Sequence, residues 1–270
     1  MTTRRWALVT GASSGIGLAL AERLAARGMG VLAVARRAER LEQLATSARG
    51  SAGVIVPVVA DLTEAAGIAA TLAAAAGVAD GIDLLVNNAG FGIAGEHLAL
   101  PLERELACIQ LNVVALVELT RRLLPGMVAR GRGGVINIAS TIAFSPVPYF
   151  ATYAATKAYV LHYTEALAVE LRGTGVHALA VCPGPVRTEF ESVAGNGRFQ
   201  RSIPNLAASR VADATLSAWD RGRTVAVVGA VNRLITWFNG LLPRAIVRSM
   251  MGKLARPTTV SLPPGLESHR

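Results

Sequence analysis

The sequence predicts an α/β fold: one doubly wound, seven-stranded parallel sheet flanked by helices, with a C-terminal helical extension. Three observations predict it. Seven short apolar runs recur along the chain, at 6–10, 31–35, 54–60, 83–86, 133–139, 176–181 and 224–228. Helical patterning separates them, and alternation of strand and helix builds a parallel sheet with helices on both faces. Turn-forming residues stand just after several runs: Gly11 after the first, Asn87 to Gly90 after the fourth, Pro183 and Gly184 after the sixth. Nothing in the 270 residues marks a repeat, a linker or a low-complexity tract. The organisation expected is one α/β domain over 1–230, a basic amphipathic helical extension over 231–256 and a flexible tail over 257–270.

Composition narrows the class. The chain is 52% hydrophobic with a mean hydropathy of +0.43, enough for a sizeable core. No apolar run is long enough to span a bilayer. The N-terminus enters a strand pattern at once, without the apolar region of a secretory leader. Two cysteines, Cys108 and Cys182, sit in apolar surroundings and suggest no disulfide framework. A reducing, cytoplasmic setting is the expectation. The four histidines, His97, His162, His177 and His269, lack metal-ligand spacing, so no metal is expected.

Each element carries its own signal. The run Trp6 to Thr10 leads into Gly11-Ala-Ser13-Ser14-Gly15-Ile16-Gly17 and then a helical pattern through Leu18, Leu20 and Leu24. Glycines let backbone approach a phosphate, and a helix N-terminus supplies free N–H groups and a positive dipole end. The same residues match Gly-x-Ser-x-Gly, the nucleophile elbow of hydrolases. An elbow needs an oxyanion hole built partly from an earlier strand-to-helix loop, and only one strand precedes Ser13, so that reading is set aside.

The second run ends in Ala35-Arg36-Arg37. In a dinucleotide fold this tip meets the adenosine ribose, where an acid selects NAD. Two guanidinium groups suit a 2′-phosphate instead, and point to NADP(H). The third run ends at Asp61-Leu62, where Asp61 either accepts from an adenine amino group or caps the next helix. The fourth run ends in Asn87-Asn88-Ala89-Gly90, a tight turn at the sheet edge where ligands bind. A single long helix is expected over 102–127. Within it Asn112, among Ile109, Leu111 and Val113, is either a structural hydrogen bonder or part of a site. Ser140 stands at the end of the fifth run. The segment 191–205 reads as an irregular flap.

The stretch Tyr153-Ala-Ala-Thr-Lys157 anchors the functional reading. The chain has only two lysines, Lys157 and Lys253. Residues i and i+4 share a helix face, so the phenol and the ammonium point into one space. A neighbouring ammonium favours the phenolate and makes Tyr153 a candidate proton donor.

Taken together, Thr10-Gly-Ala-Ser-Ser-Gly-Ile-Gly17, Asn87-Asn-Ala-Gly90, Asn112, Ser140, Tyr153-x-x-x-Lys157 and Pro183-Gly184 resemble the classical short-chain dehydrogenase/reductase family, from about Arg5 to Gly229. The resemblance implies a Rossmann-type fold and a set of roles. Tyr153 is then the general acid/base, and Lys157 lowers its pKa and holds the nicotinamide ribose. Ser140 bonds the substrate carbonyl, and Asn112 positions a proton-relaying water. Gly11, Gly15 and Gly17, with Ile16, cradle the pyrophosphate. Ser13, Ser14, Arg36 and Arg37 read the 2′-phosphate, and Asp61 and Leu62 flank adenine. Asn88, with Ala89 and Gly90, meets the adenosine ribose. Pro183, Gly184, Val186 and Thr188 hold the nicotinamide end. The implied activity is NADPH-dependent reduction of a carbonyl. A dinucleotide-binding sensor or scaffold without turnover is the alternative, against which the intact proton-transfer set argues.

Substrate and partners are read from the remaining apolar segments. The loop 91–100, the segment 192–205 and Phe144, Val147 and Phe150 suit a hydrophobic ketone such as a 3-oxoacyl chain or a steroid-like ring. The family's pairing through the Tyr153 helix implies a homodimer or homotetramer, with Leu161, Ala168 and Leu171 expected on the exposed face. After Asp220 the sole acid is Glu267, while Arg221, Arg223, Arg233, Arg244, Arg248, Lys253 and Arg256 all follow. Pro243 splits the extension into two short amphipathic helices. A helical lid or a dimer contact is the plainer reading; peripheral contact with an anionic membrane is the bolder one. No nucleic-acid module accompanies the charge.

Overall fold

The first apolar run is paired on both sides. In the computed structural model, which describes residues 4–187, 189 and 205–256, β1 (Trp6–Thr10) lies between β2 (Gly30–Ala35) and β4 (Leu84–Asn87). The sheet extends outward through β3 (Val54–Val59) on one side. On the other run β5 (Gly133–Ile138), β6 (Val176–Pro183) and the last strand, β9 (Val225–Val228). Between β6 and β9 a small separate pair forms from β7 (Val186–Arg187) and β8 (Leu206–Ala207). The order β3-β2-β1-β4-β5-β6-β9 is parallel throughout. All seven expected strands form.

Burial explains both the pattern and its edges. Every residue of β2 and β4 is buried, as a parallel sheet covered on both faces requires. Pro57 lies in β3, at the edge of the sheet, where a missing N–H costs no ladder bond. Alternate side chains divide between two cores. Ala7, Val9, Val31 and Ala33 meet α1 (Gly15–Ala26), α2 (Ala38–Ser47) and α7 (Ala208–Asp220) through Leu20, Leu24, Leu41 and Leu216. Leu8, Leu32 and Val34 face the other way. They meet α3 (Ala65–Ala76), α5 (Ala115–Ala129) and α6 (Ala151–Glu170) through Ile68, Leu119 and Leu167. Fully buried leucines such as Leu8 and Leu20 contribute about 1.5–3 kcal/mol each.

Two expectations fail here. The helix expected over 102–127 is interrupted: α4 (Leu102–Ile109) passes into a π-helical turn (Gln110–Val114) before α5. The widened turn carries Asn112 and fits the tendency of such turns to occur at functional sites. Leu161 and Leu171 are buried, at 2% and 6% exposure, and Ala168 is half-buried. Leu161 lies one helical turn beyond Lys157, on the face that α6 turns toward the sheet. The outward face carries Tyr159 and Val169 instead.

The extension forms two helices, α8 (Ala230–Leu241) and α9 (Arg244–Ala255), divided at Pro243 as expected. Most of the expected flap and the tail 257–270 lie outside the described residues.

Candidate active site

The strand order reverses between β1 and β4, and in open α/β sheets ligands bind beyond the carboxyl ends at such a point. There the chain leaves a cleft of about 630 Å³. Its lining includes Gly11, Ser13, Ser14, Gly15, Ile16, Arg36, Arg37, Asp61, Leu62, Asn88, Ala89, Gly90, Ser140, Tyr153, Lys157, Pro183, Gly184 and Val186. Gly17 and Asn112 stand behind this wall, both buried. Thr188 lies outside the described residues.

The glycine loop is braced from β4. Asn88 donates its side-chain amide to the carbonyls of Thr10 (2.9 Å) and Gly11 (3.2 Å). Thr10 Oγ1 accepts from the backbone N–H groups of Asn88 (3.0 Å) and Ala89 (2.9 Å). Gly11 has φ 67°, and a side chain there would stand 2.7 Å from the Asn88 amide. A Cβ at Gly17 would collide with the same amide. The loop can therefore lie close against β4 and keep its N–H groups at the start of α1.

Arg36 and Arg37 part company. Arg36 is 73% exposed and lies 3.5 Å from Asp61. Arg37 turns inward. Its Nη2 and Nε donate to Ser13 Oγ at 3.0 and 3.3 Å, and its Nη1 donates to Glu189 at 2.7 Å. Arg37 holds the Glu189 carboxyl below the usual carboxylate range. Asp61 takes the turn role: its Oδ1 accepts from the backbone and hydroxyl of Thr63. Burial raises the Asp61 carboxyl, but the two Thr63 bonds and Arg36 outweigh it and leave it below the ordinary value. Arg37, Ser13 and Glu189 thus form a polar corner at the β2 tip. Glu189 was not foreseen, because contact between positions 37 and 189 leaves no mark on sequence spacing.

Tyr153 and Lys157 share one face of α6, and both are buried. The Lys157 ammonium donates to the Ile138 carbonyl at 2.8 Å, at the end of β5. It lies 6.0 Å from the centre of the Tyr153 ring. Burial pushes Lys157 down to about 8. Burial also pushes the Tyr153 phenol above its ordinary value, opposed by a hydrogen bond with Ser140. Burial is the largest influence on the phenol, ahead of its bond with Ser140. Ser140 follows β5, and its Oγ accepts from the Ile142 N–H at 3.3 Å.

Asn112 is tied down on every side. Its Oδ1 accepts from the Phe91 N–H (3.1 Å), and its Nδ2 donates to the Phe91 carbonyl (3.1 Å) and to Thr156 Oγ1 (3.0 Å). A side chain at Gly90 would stand 2.8 Å from Asn112 Oδ1 and 3.4 Å from Lys157 Nζ. Glycine is what lets these two groups approach across the loop.

Beyond Tyr153 the cleft is lined by Phe91, Ile142, Val147, Phe150, Ile235 and Met251, with Arg104 and Asn232, Thr236 and Asn239 among them. Phe144 is exposed and takes no part in the lining. Asn239 of α8 donates to Ser145 Oγ at 3.1 Å, so the extension is clasped over the cleft. Helix α8 and Met251 of α9 therefore help to line the cleft. Asn232 packs on Gly184, where a Cβ would collide with its amide. These polar residues of the extension were not singled out in the sequence, because nothing in their spacing says that they face inward.

Comparisons with known proteins agree with this arrangement. A family model described as short chain dehydrogenase matches residues 5–197. An oxidoreductase of Myxococcus xanthus is 40% identical over 186 residues, 69% of this chain and 74% of that protein. The very-long-chain 3-oxoacyl-CoA reductase of Anas platyrhynchos is 30% identical over 264 residues, 95% of this chain and 78% of its own length. The solved structure of a short-chain dehydrogenase from Sphingobium yanoikuyae in complex with NADPH superposes with a TM-score of 0.79 at 34% identity, covering 88% of this chain and 93% of that one. With the matched stretch spanning the glycine loop, Ser140, Tyr153 and Lys157, the chain belongs to the short-chain dehydrogenase/reductase family of oxidoreductases.

Proposed function

We propose that the protein is an NADPH-dependent carbonyl reductase for hydrophobic ketones, with Asn112, Ser140, Tyr153 and Lys157 as its proton-transfer set. The observation that carries this reading is the hydrogen-bonded pair Ser140 and Tyr153 in the cleft wall, with Lys157 on the same helix face. The residues present fit a dinucleotide: Gly11 and Gly17 keep side chains out of the loop, and Arg37 with Ser13 offers cationic and hydroxyl donors at the β2 tip. When bound, NADPH supplies the hydride that adds to the carbonyl carbon.

The chain's own groups do the rest. Ser140 and Tyr153 donate hydrogen bonds to the carbonyl oxygen, where negative charge develops. Tyr153 then gives that oxygen its proton. The phenol is protonated at neutral pH, burial raising it above its ordinary value, and an alkoxide is the stronger base, so the transfer runs toward the substrate. Lys157, cationic below about pH 8, steadies the phenolate left behind. Asn112 fixes the loop at Phe91 and Gly90 against α6 and keeps the proton route beside Lys157 in place.

Support for NADPH comes from Arg37 and from the relative crystallised with that cofactor. Support for an apolar substrate, such as a 3-oxoacyl chain or a steroid-like ketone, comes from Ile142, Val147, Phe150, Ile235 and Met251 and from the 3-oxoacyl-CoA reductase relative. The same reading has the chain working as a cytoplasmic homodimer or homotetramer, for which Leu102, Leu106, Tyr159 and Val169, all exposed on α4 and α6, are the supporting surface. It also allows peripheral membrane contact through the extension. The deciding experiment follows nicotinamide absorbance over a panel of hydrophobic ketones, including 3-oxoacyl thioesters, with NADPH and NADH side by side. Turnover with NADPH that Tyr153→Phe removes is the expected result; tight NADPH binding with no turnover on any carbonyl or alcohol would point to a sensor.

A further inference from the structure

Helix α8 is amphipathic the wrong way round for a helix that merely packs on a protein. Asn232, Ile235, Thr236 and Asn239, at spacings of three, four and seven, face the cleft. The opposite face carries Leu234, Trp237, Phe238 and Leu241, which are 51–63% exposed. The rings of Trp237 and Phe238 meet edge-on with centroids 5.1 Å apart. Helix α9 also exposes an apolar side, although its inward side is apolar too: Val247 and Ala255 are buried, while Ile246, Met250 and Leu254 are exposed. A large apolar face of this kind marks an interaction surface.

Charge identifies the occupant. Residues 221–256 contain Arg221, Arg223, Arg233, Arg244, Arg248, Lys253 and Arg256 and no acid at all. A second copy docked through the same face would bring two purely cationic segments together. Each helix has 12 residues, a length of about 18 Å, against about 30 Å for a bilayer core. Neither helix, nor any other among the described residues, is long and apolar enough to cross a membrane. Aromatic and aliphatic residues flanked by arginines suit helices lying in the plane of an anionic lipid surface.

We propose that the outer face of α8 and α9 docks on anionic membrane, so that the roof of the substrate cleft lies on the bilayer and a hydrophobic carbonyl reaches it from the lipid. The docking stands on the surface alone; the delivery of substrate rests on the reductase reading above. The test is co-sedimentation of the full chain with vesicles of phosphatidylcholine alone or mixed equally with phosphatidylglycerol, in low and high salt. The expected result is binding to the mixed vesicles that salt reverses. Replacing Arg244 and Arg248 by Gln should lower the partition coefficient by about thirtyfold, at roughly 1 kcal/mol per basic residue. The double change Trp237→Ser and Phe238→Ser should abolish binding while leaving turnover of a water-soluble carbonyl unchanged, since neither side chain lines the cleft. Equal behaviour toward both lipids overturns the proposal. So does binding that ignores Trp237 and Phe238, which marks a generic polyanion surface. A dimer in sedimentation velocity that the double change dissociates gives the face to a second copy instead. Vesicle binding without turnover on any carbonyl would sink the reductase reading and leave the docking intact.

Discussion

The Lys157 ammonium lies 6.0 Å from the centre of the Tyr153 ring and gives its hydrogen bond to the Ile138 carbonyl rather than to the phenol. The two groups interact across space, while burial dominates the ionisation of both.

On the proposed mechanism, removing the phenolic hydroxyl takes away the proton donor and spares the cofactor loop. Tyr153→Phe should retain NADPH affinity within a few-fold, read by nicotinamide fluorescence. Its kcat for ketone reduction should fall by about 10²–10⁴-fold. A turnover close to wild type would remove Tyr153 from the mechanism.

Lys157 releases its proton at about pH 8 in the fold and near the ordinary lysine value when unfolded. Between these values the unfolded chain binds the extra proton, so stability rises with pH through that window and is lost as pH falls through 8. Tyr153 acts oppositely above its ordinary value, because the folded phenol keeps its proton. Thermal melts from pH 7.5 to 10 should therefore show a rise for wild type that is missing in Lys157→Met. Parallel curves would mean that Lys157 is not desolvated.

The two arginines after β2 should prove unequal. Arg37→Ala removes donors directed at Ser13 and should lower kcat/KM for NADPH by about 10–100-fold, the worth of a charge-assisted hydrogen bond, with little change for NADH. Arg36→Ala, at an exposed side chain 3.5 Å from Asp61, should cost much less. Cofactor titrations of the two variants decide this, and an equal loss would give both arginines the same role.

Asn112→Ala strips the half-buried Phe91 N–H of its side-chain partner and leaves the Phe91 carbonyl only the weak donor Cys108. A loss of about 1–3 kcal/mol is expected, visible in chemical denaturation. Reduced kcat in protein that remains folded would add a part in proton transfer. Unchanged stability would show that the π turn holds without it.

Much of this protein is legible in one dimension. Strand and helix periods are local, so the seven runs and their order follow from Val, Leu, Ile and Ala patterns, and Tyr153 with Lys157 meet simply because four residues make about one helical turn. Gly11, Gly15 and Gly17 announce a loop that something must approach. What spacing could not reveal depends on long-range contact. The widened turn at Gln110–Val114 forms where Asn112 finds Phe91 and Thr156, residues 21 and 44 positions away. The same limit hid Glu189 beside Arg37 and Asn239 beside Ser145. It also misplaced Leu161 and Leu171, since a helix with apolar residues on several faces does not say which face the sheet will cover. Burial itself is a tertiary quantity, and it is the main cause that raises the Tyr153 phenol and pushes Lys157 down to about 8.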